Sequence, residues 1–194
     1  MDSIFDKVNI VLVGTTHPGN IGATARAMKT MNHRNLRLVN PLEFPSAEAS
    51  SRAAGADDVL AECRQFSSLE DAIKDCDLVI GTSARVRGIP WPMILPRECA
   101  KKISEGTYSS VSIVFGKESS GLSNEELQLC NMVLKIPTNS EYNSLNLAAA
   151  VQIICYEICL LITNLDSIEY KPNEAAFINP VSYTHLTLPT NREV

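Results

Sequence analysis

The stretch that decides the fold is Val11–Arg26, "VLVGTTHPGNIGATAR", in which an apolar run ends in a glycine-rich turn before a helical segment. Continuously apolar strands that alternate with helices are typical of a parallel sheet covered on both faces. The apolar runs lie at 8–13, 36–39, 77–82, 112–116 and 132–137. The helical patterns lie at 21–31, 46–54, 69–75, 96–104, 123–130 and 144–163. The sequence therefore predicts an α/β fold built on a parallel sheet.

Length and composition indicate one globular domain followed by a tail. The chain has 194 residues, of which 45% are hydrophobic and 20% are charged, and a domain of about 150 residues accounts for most of this length. We expect the domain to span residues 1–165 and the tail to span 166–194. Residues 181–194 lack helix caps and periodicity and resemble a vector-derived tail. A native flexible terminus is the alternative.

Cysteine, histidine and hydropathy patterns argue against several kinds of site. The six cysteines form no CxxC pair and no signal peptide is recognisable, so we expect reduced thiols and a cytoplasmic protein. The three histidines lack metal-ligand spacing, so no metal is expected. The most apolar segment, 144–162, is interrupted by Asn146, Gln152 and Glu157. It therefore reads as a buried or interface helix and not as a membrane span.

The glycine turn does not match the common phosphate-binding motifs. Gly14 and Gly19 have the spacing of a P-loop, but Asn20 and Ile21 stand where lysine and serine or threonine would contact phosphate and magnesium. A dinucleotide site needs GxGxxG and an acidic residue at the end of the second strand, where this sequence has Asn40. Neither a nucleotide triphosphatase nor an NAD-binding protein is therefore indicated.

The same turn presents three residues at the start of a helix. We expect Asn20 to cap the helix, Gly22 to permit a close approach, and Arg26 to lie one turn further along, bordering a ligand above the strand end. An ordinary capped helix with a surface arginine is the alternative interpretation of these residues taken alone.

Polar residues and glycines also follow three later strands. They are Gly81, Thr82, Ser83 and Arg85 after the third, Gly116, Glu118 and Gly121 after the fourth, and Pro137, Ser144 and Asn146 after the fifth. In open parallel sheets, ligands bind outside the carboxyl ends of the strands. The four turns together predict one shared site.

At these residues the sequence resembles the SPOUT superfamily of RNA methyltransferases, and within it the TrmJ-type tRNA 2'-O-ribose methyltransferases. The family motif N-x-G-x-x-x-R corresponds to Asn20, Gly22 and Arg26. The element F-G-x-E-x-x-G-L corresponds to residues 115–122, and S-L-N to residues 144–146. The resemblance covers roughly residues 8–160.

The resemblance implies a C-terminal trefoil knot, S-adenosylmethionine as cofactor, and a homodimer in which Arg26 reaches the cofactor held by the other subunit. The cofactor residues that it implies are Gly81, Thr82, Ser83, Gly116, Lys117, Glu118, Ile136, Ser144 and Leu145. The catalytic residues that it implies are Asn20, Arg26, Glu118, Ser144 and Asn146.

The function that follows from the resemblance is S-adenosylmethionine-dependent 2'-O-methylation of tRNA in the anticodon loop, at C or U in position 32. Because the net charge is -5, tRNA would have to bind a local basic surface. The candidates are Arg26, Lys29, Arg34, Arg37, Arg85, Arg87, Arg97, Lys101, Lys102 and Lys117. The alternatives are a different tRNA or ribosomal RNA position, and a catalytically silent RNA-binding or dimerisation module.

Overall fold

The computed structural model describes residues 4–84 and 91–163, in which seven parallel strands form one sheet in the order β3-β2-β1-β6-β4-β7-β5. The strands are β1 Val8–Val13, β2 Asn35–Val39, β3 Arg64–Phe66, β4 Leu78–Thr82, β5 Met93–Ile94, β6 Val111–Phe115 and β7 Met132–Leu134. The predicted α/β class with a parallel sheet is confirmed. The knot stays a prediction, and the tail 166–194 lies outside the described residues.

Helices cover both faces of the sheet. They are α1 Ile4–Lys7, α2 Pro18–Thr30, α3 Ala47–Ala53, α4 Asp57–Ala61, α5 Leu69–Ile73, α6 Pro96–Glu105, α7 Asn124–Gln128 and α8 Leu147–Ile162. Successive strand residues point to opposite faces, and Ile10 packs in the core under α2, α3, α6 and α8. Its neighbour Val11 packs in a second core with α5 and α7. This two-sided burial is why the central strands carry apolar residues on both faces.

Local sequence signals account for several helix starts. Ser123 and Glu126 form the predicted capping box of α7, and α6 begins at Pro96. Helix α2 begins at Pro18, earlier than predicted, and its N-cap His17 makes no side-chain cap. The predicted capping role of Asn20 is therefore wrong, because a proline at the first position starts the helix before Asn20 is reached.

Gly22 permits a close approach, but to another helix. A Cβ atom at this position would lie 2.0 Å from the backbone oxygen of Ala49 in α3. Gly22 is therefore needed for α2 to pack on α3, and it does not border the ligand edge as expected.

The elements that the sequence did not predict are short. They are α1, α4, β3 and β5, with two to five residues each. Strand β3 has two exposed residues in three, so it carries no apolar run that could mark it.

The strand order brings distant loops together. Strand β6 lies between β1 and β4, and Leu12 of β1 is paired with Phe115 of β6. The turn after β1 and the turn after β6 therefore meet at one edge of the sheet, although about a hundred residues of sequence lie between them.

The final helix, α8, is apolar around much of its girth, as predicted. Val151, Ile154 and Ile158 are buried against the sheet, whereas Tyr156 is 48% exposed. None of the described helices combines the length and hydropathy that a membrane crossing requires.

Candidate functional site

A pocket of about 670 Å³, measured up to its open mouth, lies at the carboxyl ends of β4, β6 and β7. Its lining residues are Thr82, Ser83, Ala84, Phe115, Gly116, Lys117, Glu118, Leu134, Ile136, Thr138, Asn143, Ser144, Leu145, Leu147 and Ala150. Apolar side chains alternate here with hydroxyl, amide and charged groups. Such a lining suits a small molecule with a flat apolar part and several polar groups.

Eight of the nine residues predicted to bind a cofactor line this pocket. The exception is Gly81, which packs beneath it. A Cβ atom at Gly81 would lie 2.8 Å from Sγ of Cys130 and 3.0 Å from Leu127. Gly81 therefore belongs to the packing of the second core and not to the pocket surface.

Gly116 allows two backbone segments to cross at the pocket wall. A Cβ atom at Gly116 would lie 2.2 Å from the backbone nitrogen of Leu122. The crossing is fixed by Gly121, whose N–H donates to the carbonyl oxygen of Lys117 at 2.8 Å and whose φ is +69°. Both positions favour glycine, one because of space and the other because of backbone conformation.

Thr82 and Ser83 hold the other pocket wall in place. The Thr82 hydroxyl donates to the carbonyl oxygen of Val114 at 2.9 Å. The Ser83 N–H donates to the carbonyl oxygen of Leu134 at 3.1 Å. These bonds tie the end of β4 to β6 and β7, so the wall is rigid where it faces the pocket.

Glu118 joins the turn after β6 to the turn after β1. Its carboxylate accepts hydrogen bonds from the Thr16 N–H (3.1 Å), the Thr16 hydroxyl (3.0 Å), the His17 N–H (3.3 Å) and the Asn20 amide (2.9 Å). Partial burial acts to raise the pKa of Glu118, but these donors outweigh it and lower the pKa to about 2. Glu118 is therefore ionised at neutral pH and is an acceptor, not a proton donor.

Asn20 and Asn146 extend this carboxylate into a chain of three side chains. Asn146 Oδ1 accepts from the N–H groups of Ala148 (3.0 Å) and Ala149 (3.3 Å) and so caps α8. Asn146 Nδ2 donates to Asn20 Oδ1 at 3.0 Å, and Asn20 Nδ2 donates to Glu118. We call Asn20, Glu118 and Asn146 the amide–carboxylate chain. It links the turns after β1 and β6 to the start of α8.

Two further predicted residues are exposed. Ser144 lines the mouth of the pocket, next to Leu145. Arg26 lies on α2 outside the pocket lining, and its guanidinium makes no hydrogen bond or ion pair with residues 4–84 or 91–163. The structure thus brings Asn20, Glu118 and Asn146 together and leaves Arg26 apart from them in the single chain.

The predicted basic surface is smaller than expected. Arg37 is 3% exposed, and its guanidinium pairs with the Asp75 carboxylate, with Nη2 to Oδ2 at 2.8 Å. Lys29 pairs with Asp58 at 2.8 Å. Arg37 is therefore a buried structural residue, and the prediction that it binds RNA is wrong. Arg85 and Arg87 lie outside the described residues.

Sequence reasoning missed several residues of this edge. Thr138 and Asn143 line the pocket. They lie between the predicted Pro137 and Ser144, so the whole loop could have been predicted as part of the site. The Thr16 and His17 N–H groups bind Glu118, but no sequence pattern pairs a turn with a carboxylate so far along the chain. In the two described ranges, no group of three or more histidine, cysteine or acidic side chains is arranged to hold a metal.

Comparison with known proteins gives this edge of the sheet a family context. The SpoU rRNA methylase family matches residues 7–156. The tRNA (cytidine/uridine-2'-O-)-methyltransferase TrmJ of Photorhabdus laumondii is 49% identical over 176 residues, which cover 90% of this chain and 73% of that protein. Against TrmJ of Sodalis glossinidius the identity is 53%, over 78% of this chain and 60% of the relative. The chain thus spans about three fifths to three quarters of these curated relatives.

Solved structures similar to this chain are also methylases. A probable methylase family protein from Haemophilus influenzae has a TM-score of 0.80 and 40% identity, covering 93% of this chain and 76% of that one. A structure described as giving insights into the 2-OH methylation of C/U34 on tRNA has a TM-score of 0.66 and 25% identity, covering 81% and 97%. The chain belongs to the SpoU methylase family of methyltransferases, in the group of the TrmJ enzymes.

Proposed function

We propose that this chain is an S-adenosylmethionine-dependent tRNA 2'-O-ribose methyltransferase that acts at nucleotide 32 of the anticodon loop, on C, U or both. The observation that carries the proposal is one edge of the sheet, where a small-molecule pocket adjoins the amide–carboxylate chain. Curated relatives named as tRNA (cytidine/uridine-2'-O-)-methyltransferases support the reaction and the substrate.

The lining of the pocket fits S-adenosylmethionine in its chemistry. Leu134 and Ile136 offer an apolar surface for a purine ring, and Thr138, Asn143 and Ser144 offer hydrogen-bonding groups. When bound, this cofactor supplies an electrophilic methyl group for the ribose 2'-hydroxyl to attack.

The residues of the chain act by positioning the reactants. Glu118 is already saturated with donors and has a pKa of about 2, so it does not accept the hydroxyl proton. It holds the turn after β1 against the pocket, and Asn146 holds the start of α8. Orientation of two bound reactants can lower a barrier by roughly 7–11 kcal/mol. The amide–carboxylate chain is thus a set of positioning residues.

Arg26 provides electrostatic stabilisation in this proposal. A guanidinium holds its proton tightly, so it is not a ready base. In our proposal Arg26 stays charged, holds the phosphate next to the target ribose and stabilises the developing alkoxide. The hydroxyl proton leaves to phosphate or to water. Ser144 and Asn146 orient the ribose or that phosphate.

The position of Arg26 favours a homodimer as the active form. In one chain Arg26 is exposed and lies outside the pocket lining, which supports a role for Arg26 at a cofactor held by a partner subunit. Leu145 at the pocket mouth is 39% exposed and Tyr156 on α8 is 48% exposed. These exposed side chains are candidates for the contact between subunits.

Subunit complementation tests the dimer. Arg26→Ala and Ser144→Ala homodimers should each be slow, and mixed dimers should regain activity, because one of their two sites then has both residues intact. Mixed dimers no faster than their parents would show that Arg26 acts within its own chain.

Methyl transfer to defined tRNA transcripts tests the reaction and the position. With labelled S-adenosylmethionine, we expect label in a transcript that carries the 2'-hydroxyl at nucleotide 32 and none when that hydroxyl is replaced by hydrogen. The second candidate is nucleotide 34, which the likeness to the C/U34 structure favours. Label that persists in the deoxy-32 transcript and disappears in a deoxy-34 transcript would establish it.

Calorimetry distinguishes a methyltransferase from a catalytically silent module. Titration with S-adenosylmethionine should show binding. An absence of heat, together with an absence of thermal stabilisation at millimolar cofactor, would contradict the enzyme and favour an RNA-binding or dimerisation module.

A further inference from the structure

A second concave surface is lined in part by residues of the amide–carboxylate chain. It is a groove of about 860 Å³, measured with its open mouth, between α2 and α3. Its lining residues are His17, Gly19, Asn20, Ala23, Glu48, Arg52 and Asn146. Asn20 and Asn146 belong both to this groove and to the chain, and Glu118 belongs to the chain and to the pocket. The amide–carboxylate chain thus contributes side chains to both concavities.

Arg52 gives the groove a positive charge that the protein itself does not use. Its side chain is exposed, and within residues 4–84 and 91–163 its guanidinium has no carboxylate or carbonyl partner. By contrast, Lys29 and Arg37 are paired with Asp58 and Asp75. A guanidinium presents donors in a fork that matches two phosphate oxygens. Arg52 is therefore available for an anionic ligand.

The floor of the groove leaves room for a chain-like ligand. Gly19 and Ala23 have the smallest side chains and lie one turn apart on α2. Arg26 follows Ala23 by three residues, so it lies on the same face of the helix. Gly19 and Ala23 form the floor of the groove, and Arg26 lies beyond them on the same face of α2.

Glu48 makes the groove electrostatically asymmetric. A Cβ atom at Gly19 would lie 2.6 Å from Oε1 of Glu48 but 3.6 Å from Cγ of Arg52. The Glu48 carboxylate thus lies over Gly19 and repels an anion there. Arg52, one turn further along α3, packs its aliphatic stem near the same residue and carries the opposite charge. A ligand with separated negative charges and neutral hydrogen-bonding groups between them fits this pattern.

We propose that the groove binds the ribose–phosphate backbone of the substrate RNA beside the target nucleotide, with Arg52 contacting one phosphate and Glu48 fixing the register by excluding a phosphate over Gly19. This proposal rests on the proposed function, because RNA is the substrate. It adds a positioning surface outside the cofactor pocket. A strand in the groove runs along the amide–carboxylate chain and so passes beside the pocket mouth.

Binding of a labelled tRNA transcript to the full chain tests the groove. Fluorescence anisotropy across a salt series should show Arg52→Ala raising Kd about tenfold and lowering the slope of log K against log salt by about one. Arg52→Lys should recover part of the affinity, since it restores the charge without the fork. Glu48→Gln should change affinity in the opposite direction and lower Kd, because it removes the repulsion.

Arg64→Ala is the matched control. It removes the same charge from an exposed residue at the start of β3, at the other edge of the sheet, and it should leave Kd and the salt slope unchanged. Circular dichroism and S-adenosylmethionine calorimetry should report wild-type folding and cofactor binding for every variant. Equal losses for Arg52→Ala and Arg64→Ala would overturn the proposal, as would a Kd for Arg52→Ala within twofold of wild type.

Failure of the groove and failure of the function give different results. A wild-type chain that methylates tRNA, with Arg52→Ala and Glu48→Gln indistinguishable from it, rejects the groove alone. A wild-type chain that neither binds S-adenosylmethionine nor binds tRNA rejects the function and the groove together.

Discussion

The amino edge and the carboxyl edge of the sheet are both polar, but their polar groups are used differently. At the amino edge Arg37 pairs with Asp75, and the Asn9 amide donates to Ser110 and to the carbonyl oxygen of Val111, each at 3.0 Å. At the carboxyl edge Glu118 is saturated by the turn after β1, yet a pocket remains open beside it. Polar residues at a strand end therefore mark a site only where some of them are left for a ligand.

The clefts at the two edges differ in the same way. The amino edge also has a cleft, of about 720 Å³, and its lining holds three arginines and three acidic residues. These are Arg34, Arg37, Arg64, Asp6, Glu62 and Asp75. The charges balance, and Arg37 and Arg64 both contact Asp75. The amino edge is therefore held together by its own ion pairs.

The largest expected effect is at Gly116, which shapes the carboxyl edge. In Gly116→Ala the new methyl group meets the backbone of Gly121 and Leu122 at 2.2 Å, and backbone cannot rotate away. We expect S-adenosylmethionine binding to be lost in calorimetry and the free energy of unfolding to fall by about 1–3 kcal/mol. In the control Gly19→Ala, the new methyl meets the flexible end of Glu48, so stability should hold. Retained cofactor binding in Gly116→Ala would contradict this account of the wall.

Substituting one carboxylate at each edge should separate an effect on methyl transfer from an effect on stability. In Glu118→Gln a carboxamide NH₂ faces donors on Thr16, His17 and Asn20, so the turn after β1 shifts. We expect methyl transfer per folded molecule to fall about a hundredfold.

Asp75→Asn is the counterpart at the amino edge. It leaves the buried Arg37 without its counter-charge, but Asp75 is half exposed, so we expect a loss of about 1–3 kcal/mol in the free energy of unfolding. Methyl transfer per folded molecule should be unchanged. Equal loss of activity in Asp75→Asn and Glu118→Gln would contradict the view that the carboxyl edge serves activity and the amino edge serves stability.

A smaller effect on rate is expected from the two arginines. Arg26→Lys keeps the charge but loses the fork, so methyl transfer should fall about tenfold without a change in the melting temperature. Arg37→Lys loses the paired contact to Asp75, so its melting temperature should fall while its rate per folded molecule stays normal. Assays across pH should show the Arg26→Lys loss throughout the range. Near-normal rates in Arg26→Lys would count against paired contacts to phosphate.

The smallest effect on catalysis is expected from His33, which belongs to neither edge. His33 is fully buried and its ring lies edge-on to Phe5 at 5.2 Å between centroids. Burial lowers the pKa of His33 to about 4, and the Cys155 backbone opposes this only in part. The unfolded chain binds a proton near pH 6.5, so stability is full above that pH and falls as the pH drops toward 4.

Acid unfolding should therefore occur in two pH windows, and Glu118 contributes to the lower one together with Asp75. Glu118 has a depressed pKa, so its contribution is full above about pH 4.5 and is lost as the pH falls toward 2. In denaturant titrations, His33→Leu should flatten the slope of stability between pH 6.5 and 4 and leave the lower window intact. An unchanged slope between pH 6.5 and 4 in His33→Leu would contradict the assignment to His33.

The sequence was informative where one local pattern decides a structure. The run at Val8–Val13 is apolar because both faces of β1 are covered, and the capping box at Ser123 follows from a four-residue motif. The sequence was uninformative where a contact joins distant segments. Asn20 looks like a helix cap, but its amide is held by Glu118, which is 98 residues away. The position of β6 between β1 and β4 decides this contact, and no local pattern encodes it.

Arg37 and Gly81 illustrate the same limit within the candidate site. Arg37 was grouped with surface cations because its strand neighbours do not reveal Asp75 as its partner. Gly81 lies near the end of the apolar strand β4, but it faces Leu127 and Cys130 instead of the pocket. Which face a strand-end residue presents depends on the neighbouring strand, so it becomes visible only in the folded sheet.

The amide–carboxylate chain contributes residues to both the pocket and the groove. In the proposed enzyme, a cofactor that displaces Glu118 would therefore change the groove through Asn20. Linkage then requires RNA in the groove to change the affinity for the cofactor by the same factor. Under the proposal, such cooperativity would arise within a single subunit.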